Sequence, residues 1–357
     1  MISVTISAIS FISTFLLLLA LMRMAPAWKL MDHPGGRKKH FGETPVIGGL
    51  SIGLVLVAAM ILLQTHAWGA NVLAILMLLT LGVKDDIHDL APLPKLLVQA
   101  GAVLLVFYVA DVKLMTVGNL IGNGPIGTWH FAPLVTAVAI IGVINAINMA
   151  DGIDGHAGFI SLIAFVAYAY VARESSLWDQ YKLLITLAGS VAAFLMLNAR
   201  MPWLSQAKTF LGDAGSMLLG FSLGYFAVDL TQGAGRTFAP ICALWVVVIP
   251  LCDCVSLMIR RRLAGGSVLA ADRQHLHHHL LNRGLSVGQA TMVSAVANLA
   301  CAAIGLLGWK LNVPEPVMFA AFVAFFIGYH LHMTRVFRAS AQRLLRPEQE
   351  NPQMPLN

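Results

Sequence analysis

The sequence predicts an all-α integral membrane protein with about 11 transmembrane helices. Of its 357 residues, 58% are hydrophobic and 11% are charged, whereas soluble domains typically carry about 25% charged residues. The apolar residues form long runs that approach the roughly 20 residues needed to cross a bilayer as a helix. Most charged residues lie between these runs, as expected of a chain that crosses a membrane repeatedly.

The predicted spans follow one another with mostly short connections. They cover residues 3–24, 46–64, 69–84, 95–110, 131–149, 157–172, 181–199, 214–230, 238–258, 290–309 and 315–334. We assign residues 1–346 to one polytopic membrane domain, and the polar, proline-containing residues 347–357 to a disordered cytoplasmic tail. Because no basic residue precedes the first apolar run, we expect no cleaved signal peptide.

The Lys and Arg residues are distributed unequally between the two sides of these spans. Of the 23, all but Lys113, Arg173, Lys182, Arg236 and Lys310 fall on one side, which therefore holds 18. Short loops rich in Lys and Arg face the cytoplasm, so we expect the N-terminus outside and the C-terminus in the cytoplasm. The net charge of +6 reflects this orientation, and no nucleic acid partner is expected.

The stretch from Asn145 to Gly155 places polar groups at the end of an apolar run. Read as a helix, Asn145, Asn148 and Asp151 recur at every third residue and share one face. Asp154 follows between two glycines. Polar groups at the boundary of a span are costly and by default mark a functional site. The alternative is that they only hydrogen-bond neighbouring helices.

Further polar motifs occur at other cytoplasmic boundaries of the predicted spans. They are Asp85-Asp86 with Asp89 and Lys95, the segment Phe210-Leu-Gly-Asp213, and the loop Asp272-Arg273-Gln-His275-Leu-His277-His278-His279. Carboxylates gathered on one membrane face repel one another, and a hard divalent cation relieves that repulsion. Because Mg²⁺ is typically held by one or two carboxylates together with substrate phosphates, we expect an active site for a phosphate substrate on the cytoplasmic face.

The histidine-rich loop has three readings, which are phosphate binding, a solvated loop and a zinc site. Its spacing matches no standard zinc pattern, so phosphate binding is favoured. The four cysteines all lie in apolar runs. Packing is therefore a better explanation for them than a metal pair or a disulfide framework.

Four motifs, in this order, resemble those of the polyprenyl-phosphate N-acetylhexosamine-1-phosphate transferases. They are Asp85-Asp86, Asn145–Gly155, Phe210–Ser216 and the His-Leu-His-His of 275–278. The resemblance covers nearly the whole chain. The histidine-rich loop is most similar to the branch that uses N-acetylglucosamine and undecaprenyl phosphate. The peptidoglycan branch has a glutamate shortly after its histidines, where this chain has leucines.

The resemblance implies transfer of N-acetylglucosamine-1-phosphate from UDP-N-acetylglucosamine to undecaprenyl phosphate, with UMP as the second product. It further implies Mg²⁺, with Mn²⁺ as the alternative, and a multi-pass location among the lipids of the bacterial inner membrane. The product would start O-antigen (lipopolysaccharide) or another cell-envelope polysaccharide. Another UDP-N-acetylhexosamine as donor, and a homodimer instead of a monomer, stay open.

The resemblance also implies roles for the polar residues of these motifs. Asp213 and Asn148 would hold the metal, while Asp85 would lie closest to the attacking lipid phosphate with Asp86 in support. Asp151 is a third catalytic candidate whose task is not assigned. Two residues would contact the nucleobase, Asp154 and Phe210. Five would contact phosphates or sugar: Lys95, Arg273, His275, His277 and His278.

Two mechanisms and two other classes of protein stay open at this point. The lipid phosphate can attack the β-phosphorus directly, or an aspartate can first form a covalent intermediate. A transporter would use the carboxylates as an ion relay, which predicts acidic residues in the middle of spans, as only Asp253 is. A catalytically inactive scaffold is disfavoured because every charged motif position is present.

Overall fold

The structure is a computed structural model that describes residues 2–32, 42–233, 236, 238–265 and 274–344. The predicted tail 347–357 and Arg273 lie outside these residues. Within them the chain is helical, apart from loops and one short ladder, which confirms the all-α class. The helices are α1 (Ile2–Met24), α2 (Gly48–Leu63), α3 (Trp68–His88), α4 (Pro92–Val109), α5 (Ala132–Ala150), α6 (His156–Glu174), α7 (Trp178–Asn198), α8 (Gly212–Asp229), α9 (Pro240–Val246), α10 (Val248–Leu263), α11 (Leu276–Asn282), α12 (Val287–Lys310) and α13 (Glu315–Leu344).

In the described ranges, seven helices are long and apolar enough to cross a membrane, or eight if the bent pair α9 and α10 forms one span. The seven are α1, α4, α5, α6, α7, α12 and α13. Helices α2, α3 and α8 coincide with further predicted spans but are not among these seven. The protein is thus a multi-span helical membrane protein, while the number of 11 spans and the orientation stay predictions.

The segment predicted as one span over residues 238–258 is two helices, α9 and α10, with an angle of 85° between them. Pro250 explains the break, because proline has no N–H to donate to the carbonyl of Val246, four residues earlier, and its ring crowds that carbonyl. Val246 is the last residue of α9. Because of the bend, α10 runs in a different direction from α9, towards the histidine-rich loop.

Helix α8 lies at the centre of the bundle and packs against its neighbours through glycines. A Cβ on Gly49 of α2 would lie 2.0 Å from the backbone nitrogen of Gly215, and one on Gly82 of α3 would lie 2.2 Å from the Cα of Ala214. On the other side of α8, a Cβ on Gly220 would lie 2.5 Å from the Cα of Ile144 in α5. Small residues allow such backbone-to-backbone packing in membranes. It brings together the polar ends of α3, α5 and α8.

A short ladder fixes the segment that precedes α8. Strands β1 (Met31–Asp32) and β2 (Thr44–Pro45) pair in antiparallel fashion, and the amide of Phe210 donates to the carbonyl of Pro45 at 2.8 Å. In turn, the carbonyl of Phe210 accepts from the amide of Gly48 at 3.0 Å. The first amides of α2 are thereby satisfied, and Phe210 is held at the mouth of the bundle.

Candidate active site

The polar ends of α3, α5 and α8 surround a cavity of about 1070 Å³, hereafter the polar pocket. Its wall includes eight of the candidate site residues given roles or named as catalytic candidates from the sequence: Asp85, Asp86, Asn148, Asp151, Asp154, Phe210, Asp213 and His278. These residues come from positions up to 193 apart in the chain, from 85 to 278. The packing of α8 therefore gathers most of the predicted site in one place.

Asp86 caps the helix that carries Asp213. Its carboxylate accepts from the amides of Asp213 at 2.8 Å and Ala214 at 3.3 Å. Gly212 precedes them with φ of +74°, and a Cβ there would lie 2.7 Å from Oδ2 of Asp86. Burial, and then the charge of Asp213, raise the pKa of Asp86 to about 7, although the two amides oppose this shift. Asp86 thus positions Asp213 directly.

Asp85 is buried and forms an ion pair with Lys95, whose Nζ lies 2.7 Å from Oδ2. The other carboxylate oxygen accepts from the amide of Leu90 at 2.7 Å. A buried carboxylate with a cation and an amide as partners is well satisfied. The pair joins the end of α3 to the start of α4, and Lys95 keeps part of its side chain exposed.

Asn148 and Asp213 are in direct contact across α5 and α8. The amide nitrogen of Asn148 donates to Oδ1 of Asp213 at 2.5 Å and to Oγ of Ser216 at 2.8 Å. Burial, and then the charge of Asp85, raise the pKa of Asp213 to about 6. Asn145, one turn earlier, instead bonds Gln99 of α4 at 3.3 Å, so it serves the contact between helices and not the pocket.

The donor set of the polar pocket fits a hard divalent cation. Asp151 ends α5, and burial, followed by the charges of Asp213 and Asp86, raises its pKa well above the usual value. Among the residues described, no three His, Cys, Asp or Glu side chains converge on one point. Asp213 and the carbonyl of a rotated Asn148 amide would supply two oxygen ligands, which matches the partial protein shell that Mg²⁺ takes beside substrate phosphates.

The turn after α5 is held by polar contacts with α7 and α12. The amide of Gly155 donates to the side chain of Asn198 at 2.7 Å, and Thr291 donates to the carbonyl of Asp154 at 2.9 Å. Nε of Arg200 lies 2.6 Å from Oδ2 of Asp154. Asn198 and Arg200 line the polar pocket but were missed from sequence. Their only signal was a polar pair at the end of a predicted span.

The three histidines of the histidine-rich loop that were predicted to contact phosphate lie in three different environments. His278 lines the polar pocket. His275 lines a second cavity and pairs through Nδ1 with Asp253 at 2.8 Å. His277 lines neither: it is 1% exposed, and a Cβ on Gly152 would lie 2.3 Å from its Nε2. The phosphate contact of His277 stays a prediction, and in the structure its ring is buried against the turn after α5.

Burial also determines the charge of His277. Its pKa lies well below the usual value, first because of burial and then because of neighbouring His156, His278 and His275. Neither ring nitrogen has a hydrogen-bond partner among the residues that the structure describes. A neutral, packed imidazole is the form that this environment favours.

The second cavity is an apolar groove of about 1450 Å³. Its wall is formed mainly by apolar side chains of α4, α5, α9 and α10. Lys95, Asn148 and His275 line it as well, and Asn148 and Asp89 belong to both cavities. Leu114, Val117 and Thr231 line it near the opposite ends of the helices. The groove therefore extends along the bundle and meets the polar pocket at Asn148.

Comparisons with known proteins agree on one family. The model of glycosyl transferase family 4 matches residues 68–231. A protein of Haemophilus influenzae is 33% identical over 92% of this chain and 94% of its own length. One of Pasteurella multocida is 33% identical over 92% and 93%, and one of Escherichia coli K12 is 31% identical over 92% and 90%. All three are named undecaprenyl-phosphate alpha-N-acetylglucosaminyl 1-phosphate transferase.

Proposed function

Since the chain belongs to glycosyl transferase family 4 and is a membrane phospho-sugar transferase, we propose that it transfers N-acetylglucosamine-1-phosphate from UDP-N-acetylglucosamine to undecaprenyl phosphate. An oxygen of the lipid phosphate forms a new bond to the β-phosphorus. The bond between that phosphorus and the oxygen bridging to the α-phosphorus breaks, and UMP leaves with the electron pair. The lipid product is undecaprenyl-diphospho-N-acetylglucosamine.

The observation that carries this proposal is the meeting of the two cavities at Asn148. The polar pocket has the carboxylates, Arg200 and Phe210 that suit a nucleotide with a bound cation. The groove is apolar and long, as a polyprenyl chain requires. The reacting phosphates of both substrates would then lie at the junction, beside Lys95.

We assign Asp213 and Asn148 to the metal, which would neutralise charge on the diphosphate and on the departing UMP. Lys95 donates to the lipid phosphate, and Asp85 orients its ammonium group. His278 and Arg273 bind the diphosphate and sugar from the loop. Phe210 packs on the uracil, and Asp154, held by Arg200, accepts from the base.

Direct displacement is the mechanism that the contacts of Asp85 support. Both of its oxygens already accept hydrogen bonds, from Lys95 and from the amide of Leu90. Such bonds stabilise the carboxylate and lower its reactivity as a nucleophile. A phosphate monoester is largely dianionic at neutral pH, its second pKa being about 6, so it needs no strong base. Inversion at the β-phosphorus is expected, and retention would establish a covalent intermediate.

The proposal includes the cellular setting. The chain would lie in the bacterial inner membrane with its active site on the cytoplasmic face, where UDP-sugars are made. Its product would begin O-antigen or another cell-envelope polysaccharide.

Purified protein tests the reaction with undecaprenyl phosphate, Mg²⁺ and a panel of UDP-N-acetylhexosamines. We expect labelled lipid product and UMP in equal amounts, with N-acetylglucosamine preferred. Asp213→Ala should lower the rate at least about 100-fold, as expected when a charge-stabilising group is lost. Asp229→Asn, at the other end of α8 and bonded to Gln180, is the matched control and should keep most activity. Equal activity in both variants would contradict the assignment of Asp213 to the active site.

A further inference from the structure

Asp253 is a buried acid that the proposed reaction does not use. It lies on α10 and is 8% exposed. Three groups from two other segments contact its carboxylate, and a buried carboxylate needs such partners. Oδ2 lies 2.8 Å from Nδ1 of His275, while Oδ1 accepts from the amide of Leu276 at 3.1 Å and from the hydroxyl of Tyr329 at 2.7 Å. The acid thus joins α10, the start of α11 and α13.

The pairing determines which nitrogen of His275 holds a proton. An ionised carboxylate can only accept hydrogen bonds, so Nδ1 donates to Asp253. The hydrogen bond made by one ring nitrogen of a neutral histidine determines whether the other nitrogen carries a proton. Nε2 is therefore the nitrogen that remains for the groove lined by His275, Lys95 and Asn148.

From this geometry we infer that Asp253 is a positioning residue: it accepts from Nδ1 of His275 and so aims Nε2 at the junction of the two cavities, where the Nε2–H of the doubly protonated ring donates to a phosphate oxygen. The inference rests on the proposed function for the identity of those phosphates. Asp253 lies beyond the residues that the family model matches. Its partner Tyr329 lies in α13, so this helix contributes to the site through this contact.

Asp253→Asn is the sharpest test, because the two side chains have nearly the same shape. The amide oxygen can still accept from Leu276 and Tyr329. The amide NH₂ group, however, can only donate, so it would turn towards a His275 whose Nδ1 must accept. The proton would then move to Nε2. Tyr329→Phe is the matched control, since it removes one donor to the same carboxylate and leaves the contact with His275.

The first readout does not depend on activity. Nitrogen-15 NMR of histidine-labelled protein in detergent, with the His275 signals assigned by their loss in His275→Gln, distinguishes the two tautomers. We expect a protonated Nδ1 in the wild type and in Tyr329→Phe, and a protonated Nε2 in Asp253→Asn. An unchanged tautomer in Asp253→Asn would overturn the inference. This comparison stands even if the wild type proves inactive, which would contradict only the proposed function.

The second readout is a double-mutant cycle on transferase activity. Asp253→Asn should lower kcat about 10- to 100-fold, the usual effect of losing a group that orients a ligating histidine, with little change in KM for the UDP-sugar. In the His275→Gln background the same substitution should cost less than about two-fold, because its target is gone. Equal losses in both backgrounds would show that Asp253 acts only on the fold.

Discussion

Asp86 and Asp213 lie on different helices, and the carboxylate of Asp86 accepts the backbone amide of Asp213 at 2.8 Å. The first amides of a helix have no partner within the helix. Asp86 therefore fixes the start of α8, and with it the position of the Asp213 side chain. Although both residues are aspartates at helix ends, Asp86 acts as the cap and Asp213 is the residue that the cap positions.

The cap predicts a difference between two substitutions of Asp86. Asp86→Ala removes both acceptors and should cost about 1–2 kcal/mol of stability, as for other N-caps, with a clear loss of activity. Asp86→Asn keeps one oxygen acceptor and should retain more of both. Thermal unfolding in detergent and transferase rates measure the two effects. If Asp86→Asn is stable yet as inactive as Asp213→Ala, Asp86 acts on substrate and not only as a cap.

The acidic cluster predicts that the metal-free protein loses stability as pH rises. The pKa values of Asp86 and Asp213 are raised to about 7 and about 6, above the ordinary value of about 3.9 in an unfolded chain. Their contribution to the free energy of unfolding is therefore complete below about pH 4 and is lost as the pH rises through about 6 to 7. Melting temperatures in EDTA should fall across this range.

Added Mg²⁺ should oppose that loss, because it binds the ionised carboxylates. The gain in melting temperature should be larger at pH 8 than at pH 5.5, since protons compete for the same oxygens. Asp213→Ala should reduce this gain, whereas Asp229→Asn should not. A gain that is independent of pH, or unchanged in Asp213→Ala, would exclude this cluster as the metal site.

The contact between Gly152 and His277 predicts a steric effect. A Cβ on Gly152 would lie 2.3 Å from Nε2 of His277, so Gly152→Ala should displace the ring and the loop, and lower activity about ten-fold or more, as small misplacements do. In a His277→Ala background the added methyl should cost little. Gly69→Ala, where an added Cβ would meet no described atom within 4 Å outside its own helix backbone and chain neighbours, should leave activity unchanged. A full loss that persists without the imidazole would refute this explanation.

The apolar groove predicts an effect that depends on the acceptor chain. Ala137→Trp fills part of the groove wall on α5, and should raise KM for undecaprenyl phosphate while leaving KM for the UDP-sugar unchanged. A phosphate with two or three isoprene units should be affected less, because it fills less of the groove. Leu19→Trp on the exposed face of α1 is the control. Equal effects on long and short acceptors would indicate that the chain lies elsewhere.

Much of the architecture could be predicted because the bilayer imposes it. Backbone groups in lipid must bond within helices, so apolar runs such as 131–149 and 290–309 coincide with α5 and α12. The bend between α9 and α10 was not predicted, although Pro250 was visible, because proline in a membrane helix is often accommodated without a break. Arg200 and Asn198 were missed because their importance comes from neighbours that are distant in the chain.

The sequence by itself determined the class of protein, the polar ends of its helices and the family, because hydrophobicity and motif order are local properties. Only the tertiary structure decided which contacts each aspartate makes. Packing of Gly82 against the backbone of Ala214 brings α3 against α8, so that Asp86 caps a helix while Asp85 pairs with Lys95. It also gave Asp253 a partner in His275. These roles depend on distances between helices, which the order of residues along one chain does not specify.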